Sequence, residues 1–458
     1  MIVMKVGGSS LRSTTSLLQV TDIIGQAAEP EKIVVLSAVS GVTDHLFKSA
    51  REALQTERRI RPLLDYLHEL HRELILGAIQ NSERRRHAMD EIDYLLSRLE
   101  KLLFGVAYTG ECTQRTMDMI VSMGERMAVQ LLAACLQDKG WEGLAMDADK
   151  IDLVAHGEFG YGNADLETTS RMLPHHLQDP LRRHAIPVIT GFFGRTSDGH
   201  TITFGRGGTD YSAAIIAYAM DCQELQIWKD VDGFLTAAPD MVANAKPLEY
   251  LAYEEAAELS YFGASILHPR TVEPLAKKRI PAVIKNTYKP DVPGTVVGPD
   301  KHQHEEIIKS VVANKKIGAI RIHGASLGQQ LGFLRLVVSS LSDNGINIIS
   351  VITAQTAVNL LLDKKDIPVC EEILKNLHIP YIDHIETLFD VALVGVVGEG
   401  LAETRGLAAR DFTAVAAAGT NVEMITSGAS KAAQYFIIKE NQLQQTVQAV
   451  HAEFFGKN

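Results

Sequence analysis

The chain has 458 residues, 46% of them hydrophobic and 22% charged, the balance of a globular chain large enough for one to three domains. Its 45 Lys and Arg are outnumbered by 56 Asp and Glu, a formal net charge of −11. Such a chain repels phosphate backbones and anionic lipid, which excludes nucleic acid and the membrane surface as its main partners. No apolar run of about 18 residues stands out, so no membrane-spanning helix is expected. The opening MIVMKVGGSS lacks the apolar core and cleavage pattern of a signal peptide. Cys112, Cys135, Cys222 and Cys370 are scattered without a CxxC pair, which predicts free thiols in a reducing compartment.

In chain order, residues 3–6 and 33–37 read as short buried strands, apolar and β-branched and closed by Gly or Ser. Residues 11–28 and 44–54 fit helices. Residues 82–101 are highly charged, with Ile92, Leu95, Leu96 and Leu99 on one stripe, and predict an amphipathic packing helix. Strand followed by helix recurs at 187–193 and 225–228, which implies a mainly parallel sheet with helices on both faces. Pro, Gly and charge cluster at 289–294 and 299–306, a domain boundary. His302 and His304 fall there as linker residues, and no metal-ligand spacing accompanies them.

Beyond the boundary a strand (317–322), helix (331–341) and two strands (346–352, 358–362) are followed by the same order at 391–397, 408–417, 421–426 and 435–438. Both copies carry Gly-x-Asn, at Gly345 and Gly419. The offset, 419 − 345 = 74 residues, marks an internal repeat of small α+β units.

Three glycine-rich or charged strings carry the chemistry: Lys5-Val6-Gly7-Gly8-Ser9-Ser10, Gly124-Glu125-Arg126, and Gly205-Arg206-Gly207-Gly208-Thr209-Asp210. Glycine lets backbone amides approach a phosphate closely, and the flanking charges suit phosphoryl transfer to a small acidic molecule. No GxxxxGK[ST] P-loop is present. Ser37-Ala38-Val39-Ser40-Gly41-Val42-Thr43 follows a strand and opens a helix, a turn that aims amides at an anion. Thr43 could equally cap that helix, Thr209 and Asp210 could cap the helix expected from residue 211, and Phe192 could be simple core packing.

Together with Trp228-Lys229-Asp230-Val231-Asp232-Gly233 and the Phe262–Pro269 string, these motifs resemble aspartate kinases of the amino-acid kinase family, over almost the whole chain. The repeat is similar to a tandem pair of ACT domains. The resemblance implies an α/β amino-acid-kinase-type sandwich over residues 1–298, then ACT units at 306–384 and 385–458. It implies Lys5 and Asp210 as catalytic groups. Ser37, Thr43, Glu125, Phe192, Arg206 and Thr209 would hold the substrate, with Glu125 on its ammonium and Arg206 on a carboxylate. Lys5, Gly7, Gly8, Ser9, Lys229, Asp230, Gly233, Leu235 and Ser265 would serve the nucleotide. No protein metal cage is implied; Mg²⁺ would travel with ATP.

The expected reaction is ATP plus L-aspartate giving 4-phospho-L-aspartate and ADP, the first step towards lysine, threonine and methionine. The compartment would be the cytoplasm, or the plastid stroma for a plant-type enzyme. A homodimer or higher homo-oligomer and an amino-acid effector at the ACT units are implied. With no dehydrogenase segment after residue 458, a monofunctional enzyme is expected. Departures stand at Leu235, Ala238 and Asp240, where many relatives place tyrosine, aspartate and arginine, and at Ser265, often lysine or glutamine. They keep two alternatives open: a catalytically weak amino-acid sensor, and a sister kinase with another acidic acceptor. At the effector strand, Ile349 and Ala354 stand where lysine-sensitive relatives carry aspartate and serine.

Overall fold

The computed structural model describes residues 1–263, 266–299 and 307–456. They divide into two compact units. The first holds residues 1–234, 247–257 and 266–299. Its strands are β1 (Ile2–Val6), β2 (Lys32–Leu36), β3 (Gly143–Met146), β4 (Ala155–His156), β5 (Asn163–Ala164), β6 (Ile186–Thr190), β7 (Phe193–Arg195), β8 (Thr201–Thr203), β9 (Glu224–Lys229), β10 (Tyr250–Ala252), β11 (Ala282–Asn286) and β12 (Thr295–Gly298).

Eight of these form one sheet in the order β10-β12-β11-β9-β1-β2-β6-β3. All neighbours are parallel except β11 and β12. β1 and β2 are buried at every residue, hence their continuous apolar runs rather than an alternating pattern. Lys5 is level with Val35 of β2 and Ile227 of β9. The chain therefore leaves β1 towards β2 on one side and returns as β9 on the other. That reversal opens a crevice at the carboxyl ends of the strands, where open α/β sheets bind ligands.

The helices Met123–Asp138 and Gly208–Ala219 are buried along most of their length. The stretch Gln114–Asp138 is long and apolar enough to cross a membrane, but 89% of its most apolar window is buried inside the molecule, which makes it a core element. The expected helix at 11–28 begins later, at Thr14, because Ser13 forms a reciprocal cap with Ser16. The helix expected at 82–101 runs over Ser82–Thr109 and stops at Gly110, whose φ is 68°. The strand expected at 187–193 breaks after Thr190. Phe192 has a φ of 74°, outside the strand region, and the chain restarts as the β7–β8 hairpin.

The second unit holds residues 235–246, 258–263 and 307–456. Its strands are β13 (Ser310–Asn314), β14 (Ile317–His323), β15 (Ile348–Thr353), β16 (Ala357–Asp363), β17 (His384–Leu388), β18 (Val391–Val397), β19 (Val422–Thr426) and β20 (Ala433–Lys439). They make two four-stranded sheets, β15-β16-β14-β17 and β13-β18-β20-β19, all antiparallel. The copies of the repeat are therefore interleaved, not consecutive. β13, at the start of the expected 306–384 unit, pairs with β18 of the other sheet, and β17 straddles the expected boundary at residue 384. Helices Phe333–Ser342 and Ile367–Asn376 close one sheet, with Ile320, Ile322, Val337 and Leu360 in its core. The other core gathers Val394, Phe436, Val447 and Val450, and it takes in Ala237 and Val242 from the 235–246 segment.

Candidate active site

At the carboxyl ends of β1, β2, β6 and β9 lies a cleft of about 880 Å³. Lys5, the penultimate residue of β1, places its Nζ 2.7 Å from Asp210 Oδ1, an ion pair rather than an aligned hydrogen bond. Lys229, at the end of β9, donates to Asp210 Oδ2 at 3.1 Å and to the Ile266 carbonyl at 2.5 Å. Asp210 sits in the first turn of Gly208–Ala219, whose cap is Gly207 with no side-chain cap bond. It is therefore an ion-pairing group and not the helix cap. Burial alone would raise its pKa; the two ammonium groups reverse that and hold it at about 2. Burial pulls the Lys5 ammonium downward against the attraction of Asp210. Two cations on one carboxylate leave a surplus positive charge facing the cleft, which suits phosphate oxygens.

Glu125 is 3% exposed, in the first turn of Met123–Asp138. Its Oε1 accepts the Ala38 amide at 3.1 Å, while Oε2 has no partner among the described residues. Burial pushes this carboxyl up to about 8. A buried, half-satisfied carboxylate beside a cleft is a seat for a cation. Gly124 allows the approach: a Cβ there would lie 2.8 Å from Ala38 Cβ. Arg206 is exposed on the cleft wall, with no ion pair or hydrogen bond among the described residues.

Lys5, Gly8, Ser9, Ser37, Thr43, Glu125, Phe192, Arg206, Thr209, Asp210 and Lys229 all line this cleft, and Gly7 adjoins Lys5. Thr43 does not cap its helix; Gly41 does, with a φ of 82°. Asp230 and Gly233 are not in the lining. Asp230 is exposed, and Gly233 packs on Thr295, whose hydroxyl oxygen lies 2.4 Å from where a Cβ would sit. Leu235 lies in the second unit, where its carbonyl accepts the Ser310 hydroxyl at 2.8 Å. Ser265 lies outside the described residues.

Residues 1–286 match the model of the amino acid kinase family, and residues 394–454 match an ACT domain. Over 467 aligned residues the chain is 33% identical to Aspartokinase 1, chloroplastic, of Arabidopsis thaliana, across 99% of this chain and 80% of that protein. The solved structure of E. coli aspartokinase III in complex with aspartate and ADP (R-state) matches with a TM-score of 0.83 at 26% identity, covering 99% of this chain and 100% of that one. Clostridium acetobutylicum aspartate kinase matches at 0.76 and 27%, with the same coverage. The chain belongs to the amino acid kinase family. Within the family it is an aspartate kinase, a nucleotide-binding phosphotransferase with a carboxyl group as acceptor.

The sequence reading gave no role to Asp118, and none to Arg126 although it stands in the Gly124-Glu125-Arg126 string. Asp118 is 1% exposed in the cleft lining and accepts three hydrogen bonds, from the Gly160 amide and from the amide and hydroxyl of Thr203. Arg126, next to Glu125, is buried between Asp147 and Asp149. The one sequence signal for Asp118 was a carboxylate set between methionines in an apolar helix.

Proposed function

We propose that the cleft transfers the γ-phosphoryl group of ATP to the side-chain carboxylate of L-aspartate. Lys5 meets the transferring phosphoryl oxygens, and Asp210 holds Lys5 and Lys229 in place. The unpaired Oε2 of Glu125 takes the α-ammonium, the free guanidinium of Arg206 grips a carboxylate, and Ser37, Thr43, Thr209 and Phe192 complete the substrate wall. A carboxylate oxygen forms the new bond to phosphorus as the bond to ADP breaks, and no covalent enzyme intermediate is needed. The observation that carries this reading is one cleft holding a surplus of ammonium charge, an unpaired buried carboxylate and an unpaired guanidinium. It supports a working kinase over a degenerate sensor.

The described residues offer no cluster of three or more His, Cys, Asp or Glu able to hold a metal. Mg²⁺ would enter on the phosphates of ATP, held mostly by phosphate and water oxygens. Lys5, Gly8, Ser9 and Lys229 of the cleft lining, and Gly7 beside Lys5, are the nucleotide contacts we favour, and Asp230, Gly233, Leu235 and Ser265 stay candidates from the resemblance.

We assign residues 1–298 to catalysis and 306–458 to interleaved ACT units that take an amino-acid effector and join two copies of the chain. β15 supports the last point. It is an edge strand with exposed Val351, near in sequence to exposed Leu331 and Leu334, and such an edge favours pairing. Four free cysteines suit the cytoplasm or plastid stroma. The test is aspartate-dependent ADP release with ATP and Mg²⁺, with hydroxamate trapping of the acyl phosphate. A folded, ATP-binding sample that releases no ADP with aspartate refutes the reading.

A further inference from the structure

The turn that carries Arg206 is closed by one backbone bond, from the Gly208 amide to the Gly205 carbonyl at 3.0 Å. Gly205 and Gly207 flank the arginine at φ of 72° and 73°, and neither has a side chain to anchor. A guanidinium grips a carboxylate with two parallel hydrogen bonds only if it is held in place. Two residues outside the proposed substrate set hold the strand end that leads into this turn, residues 203–204, from opposite chemical sides.

Asp118 accepts from the Gly160 amide at 2.9 Å, the Thr203 amide at 2.8 Å and the Thr203 hydroxyl at 2.9 Å. Arg270 donates to the Phe204 carbonyl at 2.8 Å, the Gly162 carbonyl at 2.6 Å and Asn163 Oδ1 at 2.9 Å. Its guanidinium also lies 4.3 Å from the centre of the Tyr211 ring. The anion takes donors and the cation takes acceptors of the same two segments, 160–163 and 203–204. The Gly162 amide donates to the Thr203 carbonyl at 2.8 Å and ties the segments together. Asp118 belongs to Gln114–Val121, the helix immediately before the one that carries Glu125.

We propose that Asp118 and Arg270 are positioning residues that clamp the turn 205–208 and set the span between Arg206 and Glu125, so that the cleft selects its acceptor by the spacing of carboxylate and ammonium groups. The inference rests on Arg206 and Glu125 being the readers of those groups.

Steady-state kinetics of the full chain, varied separately in aspartate and ATP, tests it with Asp118→Asn, Arg270→Lys and Arg206→Ala. Asp118→Asn and Arg270→Lys are expected to raise the aspartate KM about tenfold or more, with kcat and the ATP KM within about threefold of the parent. Adding Asp118→Asn to Arg206→Ala should bring no further rise, because its effect runs through Arg206. An additive effect, or an equal loss in the ATP KM, means general loosening and overturns the clamp. An unchanged aspartate KM in Asp118→Asn, with a raised one in Arg206→Ala, overturns the clamp alone. An unchanged KM in Arg206→Ala overturns the underlying reading as well. If Asp118→Asn does not fold, Thr203→Val removes only the hydroxyl donor. A rise in the aspartate KM alone then supports the clamp, and no rise overturns it.

Discussion

Glu125 titrates where an assay can see it. Its carboxyl, pushed up to about 8 by burial, is protonated in the empty cleft below that pH, and only the carboxylate can pair with an ammonium. With the ammonium on Glu125 as proposed, aspartate binding would ionise it, at an energetic cost that grows as pH falls. The aspartate KM is expected to drop by up to about tenfold per pH unit as pH rises towards 8 and then level. Glu125→Gln should raise the KM and flatten the profile, and a flat profile in the parent enzyme counts against this role. Lys5→Ala should lower kcat by roughly 10²–10³-fold, as for removal of one donor aimed at developing charge. Arg206→Ala should act chiefly on the aspartate KM. Lys5, Glu125 and Arg206 were picked out because each stands within two residues of a glycine in a short string, and all three line the cleft. Asp118 was not, because its partners lie 42 and 85 residues further along the chain.

The helix Leu407–Ala417 buries Asp411 completely, with one oxygen accepting Gln434 Nε2 at 3.1 Å and the other unpartnered among the described residues. Burial pushes this carboxyl up to about 7. The folded state thus keeps a proton that the unfolded chain releases near pH 4. Its contribution is fully present below about pH 4, is lost as pH rises to about 7, and is then constant. Asp411→Asn should therefore raise Tm at pH 8 and change it little at pH 4, as thermal melts at both values will show. On β15, the pairing with β16 shifts register between Ile348 and Ser350, and the Ile349 carbonyl accepts the Tyr261 hydroxyl at 3.1 Å. If Ile349 and Ala354 line an effector site, as the resemblance implies, their hydrocarbon would give a lysine ammonium no counter-charge. Lysine alone is expected to inhibit weakly, and half-inhibition below about 1 mM, roughly 4 kcal/mol of affinity, would show otherwise. One helix and three strands of each copy were legible in the sequence, while the second helices, Ile367–Asn376 and Leu443–Phe455, and the strands β13 and β17 were not foreseen. The exchange of β13 and β17 between sheets was not, because a strand's own residues do not name its partner.

For the whole molecule, catalytic and regulatory parts do not divide at one peptide bond. Residues 235–246 precede the expected boundary, yet Ala237 and Val242 sit in the core with Val447 and Val450. The Thr236 hydroxyl bonds His451 Nε2 at 2.9 Å, and the Thr236 carbonyl accepts the Val311 amide at 2.8 Å. A chain cut after residue 305 should therefore be insoluble, not a well-behaved monomeric kinase. The full chain is expected to sediment as a dimer at micromolar concentration, and a stable monomer with or without amino acids counts against the β15 edge as its interface. The interleaving also bears on synthesis. Before β18 begins at Val391, 391 − 314 = 77 residues or roughly 4–15 s later at ordinary elongation rates, β13 can meet only the short 235–237 segment and has no ladder partner among the described residues. Val242 waits for Val447, 447 − 242 = 205 residues later, roughly 10–40 s. The nascent chain therefore carries an open strand edge and an uncovered apolar segment until its last helix leaves the ribosome. Chaperone occupancy should persist over that interval, and prematurely terminated chains would stay marked for degradation.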